Sequence, residues 1–372
     1  MNTKIQSFIA ISDMVSLLNM VSGFLSIIMS INHNFYLASI FMIFSLLFDS
    51  VDGWIARKTG RNDEYDFGKN IDMDPLAETW ECSTHPDGPS VVAGGKFDGR
   101  LLIDVLKEHS EYLGKHCEEL GELPILIKFI DAKANLSVQV HPSDEYARKY
   151  ENGQLGKTEM WYVLDAIKDS RLIYGLKYDC SKEAIRDAIE KGELERHLRY
   201  YPIKKNDVFF IEAGTIHAIG AGALIAEIQE NSNLTYRLYD YDRVDKNGNK
   251  RELHVDKALE VSNLKNIGEP RQAMRVLKYS PGVANELLSR CKYFEVYRML
   301  INTERRQKVT YSSDELSFRV LLCYDGCGNI SYCSNEGRKE YINVYKGDCV
   351  FVPANSAELV LNGVMELLDV RC

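Results

Sequence analysis

The sequence predicts a mainly β chain, built from two similar β barrels with a helical insertion and preceded by two transmembrane α-helices. Three observations predict this fold class. Apolar, strand-like runs cover residues 126–140 and 160–164. A turn-then-strand pattern occurs twice, at 205–213 and at 346–354, which indicates a duplicated unit. Residues 1–74 contain two long apolar runs of the kind that crosses a bilayer.

The two apolar runs within residues 1–74 are predicted to form a membrane segment. Residues 14–31 are almost wholly apolar, and residues 35–48 are apolar again. A helix needs about 20 apolar residues to cross the hydrocarbon core of a membrane. Lys58 and Arg61 follow the second run, and basic residues favour the cytoplasmic side. We therefore expect a membrane-anchored chain whose larger part lies in the cytoplasm.

Acidic residues follow the second apolar run in a recognisable order. They read Asp49-x-x-Asp52-Gly-x-x-Ala-Arg and then Gly-x-x-x-Asp72. Carboxylates at the end of a membrane span are costly and usually functional. The segment resembles the signature of CDP-alcohol phosphatidyltransferases, such as phosphatidylserine and archaetidylserine synthases. The resemblance implies that Asp49, Asp52 and Asp72 hold a divalent metal ion. Leu76 takes the place of the family's fourth Asp, and the family's further membrane helices have no counterpart, so residues 1–74 resemble a truncated member.

Composition excludes some classes of function. The net charge of -9 and the pI near 5.5 leave no basic stripe for a phosphate backbone, which argues against a nucleic-acid partner. The nine cysteines are odd in number and scattered, which predicts reduced thiols in the cytosol. Cys323, Cys327 and Cys333 lie close in sequence, but no fourth ligand completes a zinc-binding spacing.

Four residues between 139 and 217 are predicted to bind a metal ion. Gln139 and His141 are two positions apart, so in a strand their side chains point to the same face. A second strand would bring in Glu159, and a later hairpin would bring in His217. Two imidazoles, a carboxylate and an amide oxygen suit zinc or a similar divalent ion with a position open for water or substrate. Each His alone would be an ordinary strand or loop residue; the combination indicates a site.

From about residue 76 onward the chain resembles the type I mannose-6-phosphate isomerases. The resemblance is carried by five motifs, in order along the chain: Glu-Thr-Trp-Glu-Cys-Ser at 78–83, Gln-x-His-Pro at 139–142, Lys-Thr-Glu-Met-Trp at 157–161, Ala-Gly-Thr-Ile-His-Ala at 213–218, and the run at 227–243. This family consists of zinc-dependent aldose–ketose isomerases built on cupin (jelly-roll) barrels. The resemblance implies that the four residues named above are the ligands of one Zn²⁺ ion per chain.

The same resemblance implies roles for five further residues. Lys128 and Ser137 match positions that line the site of the sugar phosphate, so they are predicted to bind substrate. Arg237, Lys157 and Glu227 match active-site positions and are predicted to be catalytic. We expect Arg237 and Lys128 to handle anions or stabilise an enediolate. Either Glu227 or Lys157 would transfer protons, and the residues alone leave this choice open.

The predicted catalytic domain covers residues 75–270 and includes the helical insertion. Residues 181–200 begin with Ser181, a plausible N-cap, and then carry charged residues on one helical face and apolar residues on the other. We expect this helix to pack beside the barrel. The repeated segment at 205–213 then returns the chain to a strand that precedes His217.

Residues 271–372 are predicted to form a second cupin barrel without metal. In the repeated segment, Glu358 occupies the position that corresponds to His217. No His occurs after His254. This barrel should therefore be structural.

The sequence favours a metal-dependent isomerase that interconverts mannose 6-phosphate and fructose 6-phosphate through a cis-enediol. The expected partners are a hexose 6-phosphate and, through residues 1–74, a membrane. Two alternatives stay open: a CDP-alcohol phosphatidyltransferase fragment, and a fusion product that binds metal or sugar phosphate without turnover. Release of CMP from a CDP-lipid would indicate the first alternative, and bound metal without turnover would indicate the second.

Overall fold

The computed structural model describes residues 21–22, 24–31, 35–37, 39–40, 42–44, 78–244, 248–271, 277–334 and 337–372. The chain divides into two compact units, Met1–Tyr65 and Asp66–Cys372.

The described residues of the first unit are helical. Within this described part of the chain, none of the helices is both long and apolar enough to cross a membrane. Large parts of the predicted spans at 14–31 and 35–48 lie outside the described residues. The acidic motif, with Asp49, Asp52 and Asp72, lies outside them as well.

The second unit contains three antiparallel sheets. The first has the strand order β1 (Glu78–Cys82), β2 (Ile125–Ala132), β9 (Ala223–Glu230), β4 (Glu159–Ala166), β7 (Val208–Ile211). The second has the order β10 (Tyr236–Tyr239), β3 (Val138–Val140), β8 (His217–Ile219), β5 (Arg171–Leu176), β6 (Leu198–Pro202). The mainly β architecture is confirmed.

The third sheet has eight strands. Its main order is β11 (Leu277–Ser280), β12 (Val283–Arg290), β13 (Glu295–Asn302), β18 (Leu359–Arg371), β15 (Arg319–Cys333), β16 (Lys339–Tyr345). Two short strands join it, β14 (Val309–Tyr311) on β18 and β17 (Cys349–Val352) on β15. Buried side chains from these strands pack on one another, so the sheet folds around its own core.

The first sheet is the middle layer, which explains why its strands are apolar on both faces. Along β4, Trp161 and Val163 pack against strands of the second sheet, whereas Met160 and Tyr162 join a core shared with the third sheet. Alternate residues of a strand point to opposite faces, so a strand between two layers is an unbroken apolar run. This arrangement puts the beginning of β4 in a fully buried position.

The described residues of the second unit contain four α-helices, α1 (Leu102–Glu108), α2 (Asp144–Tyr150), α3 (Lys182–Glu190) and α4 (Val255–Val261); short 3₁₀ turns cover Gly95–Phe97, Ser110–Leu113, Glu118–Leu120 and Leu194–Arg196. Two of these helices cover the outer face of the second sheet. Side chains of α3 and α4 pack in the core of the second sheet.

The predicted helical insertion is present but shorter than expected. The Ser181 hydroxyl caps α3 by accepting a hydrogen bond from the Ala184 N–H at 3.2 Å, as predicted. The helix ends before Gly192, which has a φ of 68° and takes the left-handed conformation that ends helices. Residues 198–200, expected to be helical, instead belong to β6 and pair with β5.

The repeated turn-then-strand units are confirmed. The first repeat forms a turn at Asn206 and then β7, and the second forms a turn at Gly347 and then β17. The two turn residues have φ values of 72° and 96°, a conformation that Asn and Gly tolerate better than other residues.

Candidate metal and catalytic site

Three of the four predicted ligands come together in the core. Candidate ligand atoms of His141, Glu159 and His217 all lie within 4.8 Å of one another, and the three residues are at most 1% exposed. His141 Nε2 is 3.5 Å from Glu159 Oε2, and His217 Nε2 is 3.3 Å from Glu159 Oε1. His141 Nε2 and both Glu159 oxygens are buried without a hydrogen bond inside the described ranges. Buried polar atoms are normally bonded, so this donor set fits a divalent ion such as zinc.

Gln139 lies beside this group. It is the cross-strand partner of His217, and its Nε2 is 3.4 Å from His217 Nε2. The side-chain oxygen of Gln139 accepts a hydrogen bond from the Ser137 hydroxyl at 3.4 Å. The two ends of an amide are nearly interchangeable, so a half-turn of its terminal bond would present oxygen to the same point. Gln139 is therefore placed to be the fourth ligand.

Backbone carbonyls orient both imidazoles. The Nδ1 of His141 is 2.8 Å from the Leu234 oxygen, and the Nδ1 of His217 is 2.8 Å from the Thr215 oxygen. A proton on each Nδ1 leaves the Nε2 lone pair facing Glu159. Burial lowers the pKa of His141 to about 3 and also lowers the pKa of His217, so both rings are neutral, as metal ligands must be.

Glu159 is ionised although it is fully buried. Burial would raise the pKa of Glu159, but the Lys157 ammonium holds that pKa well below its ordinary value. Just before β4, the backbone passes close to the start of α2 at Gly156. A side chain at this position would place its Cβ atom only 2.4 Å from the Asp144 backbone nitrogen. Glycine is needed there for the backbone to deliver Lys157 and Glu159 to the site.

A buried network joins the candidate metal ligand Glu159 to Glu227. Lys157 Nζ is 3.1 Å from Glu159 Oε2 and 3.7 Å from Glu227 Oε1. The other oxygen of Glu227 accepts a hydrogen bond from the Trp161 indole N–H at 2.8 Å. Burial, and after it the Glu159 charge, raise the pKa of Glu227. Burial would lower the pKa of Lys157, but the two carboxylates raise it above its ordinary value.

Lys128 lies on the neighbouring strand. It is the cross-strand partner of Glu227 and is 4% exposed. Its Nζ is 3.5 Å from Glu78 Oε1 and 4.7 Å from the centre of the Trp80 ring. The Trp80 indole N–H donates to the same Glu78 oxygen at 2.8 Å. Lys128 therefore has a carboxylate partner already.

Arg237 has no carboxylate partner among the residues that the structure describes. It lies opposite Gln139 on β10, and its backbone N–H donates to His254 Nδ1 at 3.3 Å. Its Nε is buried and has no hydrogen bond, and none of the ion pairs within the described ranges involves its guanidinium. Burial, and after it the nearby Arg251 charge, lower the pKa of Arg237. A guanidinium in this setting favours an incoming anion.

The structure thus brings the nine site residues predicted from the isomerase resemblance to positions in or beside the strands of the two facing sheets of the first barrel. Sequence reasoning assigned no role to Trp161, Trp80 or Glu78, although each lies within a quoted motif. The alternation of side chains along a strand could have identified Trp161 as a site residue. Lys157, Glu159 and Trp161 fall on one face of the same strand, and all three touch the site. No feature of the sequence indicates a role for Glu78, because its contact with Lys128 depends on how β1 pairs with β2.

Comparison with known proteins shows that the N-terminal segment and the rest of the chain resemble different families. Residues 9–79 match the family model for CDP-alcohol phosphatidyltransferase. The archaetidylserine synthase of Methanothermobacter thermautotrophicus is 56% identical over 69 residues, which cover 18% of this chain and 30% of that protein. The predicted resemblance of the N-terminal segment is confirmed, and the segment spans about a third of that relative.

The remainder of the chain matches one family over nearly its whole length. Residues 58–168 match the model for the phosphomannose isomerase type I catalytic domain. The mannose-6-phosphate isomerase ManA of Bacillus subtilis is 37% identical over 307 residues, covering 82% of this chain and 91% of that protein. The crystal structure of the mannose 6-phosphate isomerase from B. subtilis superposes with a TM-score of 0.75 at 33% identity, covering 84% and 94%. The chain belongs to the type I mannose-6-phosphate isomerase family.

Proposed function

We propose that the chain is a metal-dependent isomerase that interconverts mannose 6-phosphate and fructose 6-phosphate through a cis-enediol. The observation that carries the proposal is the buried group of His141, Glu159 and His217, in which His141 Nε2 and both Glu159 oxygens lack hydrogen bonds within the described residues, in a chain of this isomerase family. The substrate is a hexose 6-phosphate, and one Zn²⁺ per chain is the proposed cofactor.

The proposed ligands of the zinc ion are Gln139, His141, Glu159 and His217. Imidazole nitrogen combined with carboxylate and amide oxygen is a set of donors that Zn²⁺, a metal ion between hard and soft, binds readily. When bound, the ion supplies Lewis-acid stabilisation of the negative charge that develops on a sugar oxygen. The two neutral imidazoles and the ionised Glu159 are prepared to hold it before substrate arrives.

Glu227 is the proposed base that moves the proton between C1 and C2 of the sugar. Its carboxylate is held at one oxygen by Trp161, and the other oxygen faces the site beside Lys157. A raised pKa makes a carboxylate a stronger base, which suits abstraction of a weakly acidic C–H proton. Lys157, with its raised pKa, stays charged, so it would donate a hydrogen bond to a sugar oxygen on which negative charge develops.

Arg237 is the proposed anion-binding group. Lys128 already faces Glu78, whereas the Arg237 guanidinium has hydrogen-bonding capacity to spare. A planar guanidinium binds phosphate or enediolate oxygens in a fixed geometry. Lys128 and Ser137 would line the same pocket and orient the sugar phosphate.

The remaining proposal concerns how the chain is organised. We infer a membrane segment at 1–74 with two transmembrane helices, a metal-binding catalytic domain at 75–270 and a metal-free cupin domain at 271–372. The 56% identity of the first segment to an archaetidylserine synthase supports a membrane tether. The catalytic part would lie on the cytoplasmic side. Membrane flotation of the full chain, compared with a variant lacking residues 1–65, tests the tether, and equal recovery in the soluble fraction would reject it.

The first experiment measures coupled conversion of mannose 6-phosphate to fructose 6-phosphate by the full chain, before and after chelation. We expect chelator-sensitive turnover that zinc restores and that His141→Ala abolishes. His109→Ala changes a partly exposed histidine at the end of α1 and is the matched control. A folded, zinc-loaded protein without turnover would reject the proposal in favour of a fusion product that only binds metal. Release of CMP from a CDP-lipid would instead support a phosphatidyltransferase.

A further inference from the structure

Gln229 is a fully buried polar side chain near the end of β9 to which the proposed mechanism gives no role. It lies two positions after Glu227, so both side chains point to the same face of the strand. Its cross-strand partner on β4 is Glu159, the candidate carboxylate ligand. Ile225, on the same face of β9, is part of an apolar cluster. A buried amide in this layer is held by specific hydrogen bonds rather than by solvent.

The side-chain amide of Gln229 binds the chain through its nitrogen. Its Nε2 donates to the Glu230 carbonyl oxygen at 3.0 Å and to the Ser232 carbonyl oxygen at 2.5 Å. Its Oε1 is buried and has no hydrogen-bond partner within the described ranges. Exchanging the two ends of the amide would place an oxygen against two carbonyl oxygens, so these contacts define its orientation. The two N–H groups of Gln229 therefore hold the backbone that follows β9.

The backbone held in this way belongs to the loop 231–235, which connects β9 to β10. Ser232 is the buried anchor of this loop. Its hydroxyl donates to the Leu155 carbonyl oxygen at 3.0 Å and accepts from the Leu234 N–H at 3.4 Å. The Leu234 carbonyl oxygen in turn lies 2.8 Å from Nδ1 of His141. Hydrogen bonds thus run without interruption from Gln229 through Ser232 and Leu234 to a candidate metal ligand.

The orientation of the His141 ring depends on where this loop places the Leu234 carbonyl oxygen. Because Nδ1 donates to that oxygen, Nε2 faces Glu159 with its lone pair free. We propose that Gln229 is a positioning residue of the candidate metal site, which sets the orientation of His141 by fixing the loop 231–235. The inference rests on the proposed function, since it takes His141 to be a ligand of the metal ion.

The test measures how tightly the full chain binds Zn²⁺ alone, by competition with a chromophoric chelator and without substrate. Gln229→Met keeps the length of the side chain and removes both donors. We expect it to weaken Zn²⁺ binding about 10- to 100-fold, the usual effect of losing a group that orients a ligand. Ile228→Val, on the opposite face of the same strand, is the matched control and should bind Zn²⁺ like the wild type. Unchanged affinity in a folded Gln229→Met variant would overturn the proposal.

A double variant shows whether Gln229 acts through His141 or through the fold in general. When Gln229→Met is added to His141→Ala, the dissociation constant for Zn²⁺ should change by less than about twofold, because the loop then has no ring to orient. If the two substitutions instead multiplied their separate effects, Gln229 would act on another part of the site, and its assignment to His141 would be wrong.

Ser232→Ala perturbs the same loop while leaving Gln229 in place, and it tests the proposal even if Gln229→Met does not fold. We expect Zn²⁺ binding to weaken in the same direction, by at least about threefold. A folded Ser232→Ala variant with wild-type affinity would contradict the proposal. A wild-type chain that binds no Zn²⁺ would reject the metal site and this inference together. Tight binding by the wild type and equally by the variants would reject only the role of Gln229.

Discussion

The two repeats of the second unit have the same local structure but very different chemistry at the same position. In the first, the chain leaves β7 and reaches His217, which is fully buried at the candidate metal site. In the second, it leaves β17 and reaches Glu358, whose side chain is 62% exposed and 3.2 Å from Lys308. The turn-then-strand unit therefore determines the local backbone structure in both barrels. Whether the position can bind a metal ion depends on the residue type there and on whether other layers of the protein bury it.

The two corresponding positions also differ in how deeply the rest of the protein buries them, and this difference favours a metal site in the first barrel. In the first barrel, His217 at the start of β8 faces Glu159 and Trp161 of the first sheet and is shielded from water. In the second barrel, Glu358 at the corresponding position, just before β18, is exposed to solvent. Desolvation is what makes unpaired imidazole and carboxylate atoms costly unless a metal ion or substrate binds them. The same substitutions should therefore have unequal effects in the two barrels.

The largest expected difference is between His217→Ala and Glu358→Ala. Removing His217 takes away a ligand, so we expect zinc to be lost and kcat/KM to fall at least about 1000-fold, since Lewis-acid stabilisation is worth several kcal/mol. Glu358→Ala removes an exposed ion pair and should leave kcat/KM within about twofold. Metal analysis and steady-state kinetics on both variants measure this. Comparable losses in the two variants would contradict the assignment of metal to one barrel.

A large effect on stability alone is expected from Asp369→Ala in the second barrel. Asp369 is 5% exposed, accepts from the Tyr311 hydroxyl at 2.9 Å and pairs with Arg319 at 3.1 Å. Its removal leaves a buried guanidinium unpaired, which should cost about 3–5 kcal/mol of unfolding free energy. Denaturant unfolding measures the loss, with Glu358→Ala as the exposed control. The kcat/KM of the folded variant should be unchanged, and a specific loss of activity would mean that the second barrel takes part in catalysis.

The next effect concerns a buried carboxyl where the two barrels meet. Glu230 accepts from the Thr158 N–H at 2.7 Å and faces Asp144, which in turn accepts from the Tyr293 hydroxyl at 2.9 Å. Burial, and after it Asp144, raise the pKa of Glu230 to about 8 from an ordinary value of 4.5. Between these pH values the folded chain keeps a proton that the unfolded chain releases. Stability contributed by this group is therefore lost as the pH rises from 4.5 through about 8.

Glu230→Gln should remove this pH dependence, because an amide keeps the donor and acceptor without titrating. We expect the variant to gain stability over the wild type as the pH rises, by a few kcal/mol once the wild-type group is ionised. Unfolding at several pH values above about 7.5 isolates the effect, because histidines in the unfolded chain, with an ordinary pKa of 6.5, have then lost nearly all of their protons. Parallel stability curves for the two proteins would mean that Glu230 titrates near its ordinary pKa.

The strand faces and turns that distinguish the two barrels could largely be predicted from the sequence. The period of two placed Gln139 and His141 on one face, and the repeat located both turns, at Asn206 and Gly347. These features are local, because strand alternation and turn conformation depend on neighbouring residues. The substitution of Glu358 at the ligand position was visible in the same alignment of repeats.

The rest depends on contacts that sequence does not encode locally. The expected helix at 181–200 is too long because pairing with β5 converts its last residues into β6, so tertiary context overrides helical periodicity. The contact of Lys128 with Glu78 requires β1 to lie beside β2 in one register. The bond between Trp161 and Glu227 likewise requires β4 to lie beside β9 in a single register. Register is set by long-range packing, so these partners appeared only in the structure.

The smallest effect, and the most specific one, is expected from Trp161→Phe. The indole N–H holds one oxygen of Glu227 at 2.8 Å, while the ring edge packs on His217 with centroids 5.4 Å apart. Phenylalanine keeps an aromatic ring at this position and removes the N–H donor together with part of the ring volume. We therefore expect kcat to fall about 10- to 100-fold with little change in KM, because a base that is no longer oriented mainly slows the chemical step.

Steady-state kinetics and metal analysis on the same preparation decide whether Trp161 acts through Glu227. Tyr332→Phe removes a hydroxyl that donates to Glu340 at 2.7 Å in the exposed part of the second barrel, and it should leave kcat unchanged. If Trp161→Phe lost zinc in proportion to activity, the indole would serve the ligand His217 instead of the base. If KM rose at constant kcat, it would serve substrate binding. A fall in kcat at full zinc content would locate proton transfer at Glu227 and confine the chemistry to the first barrel.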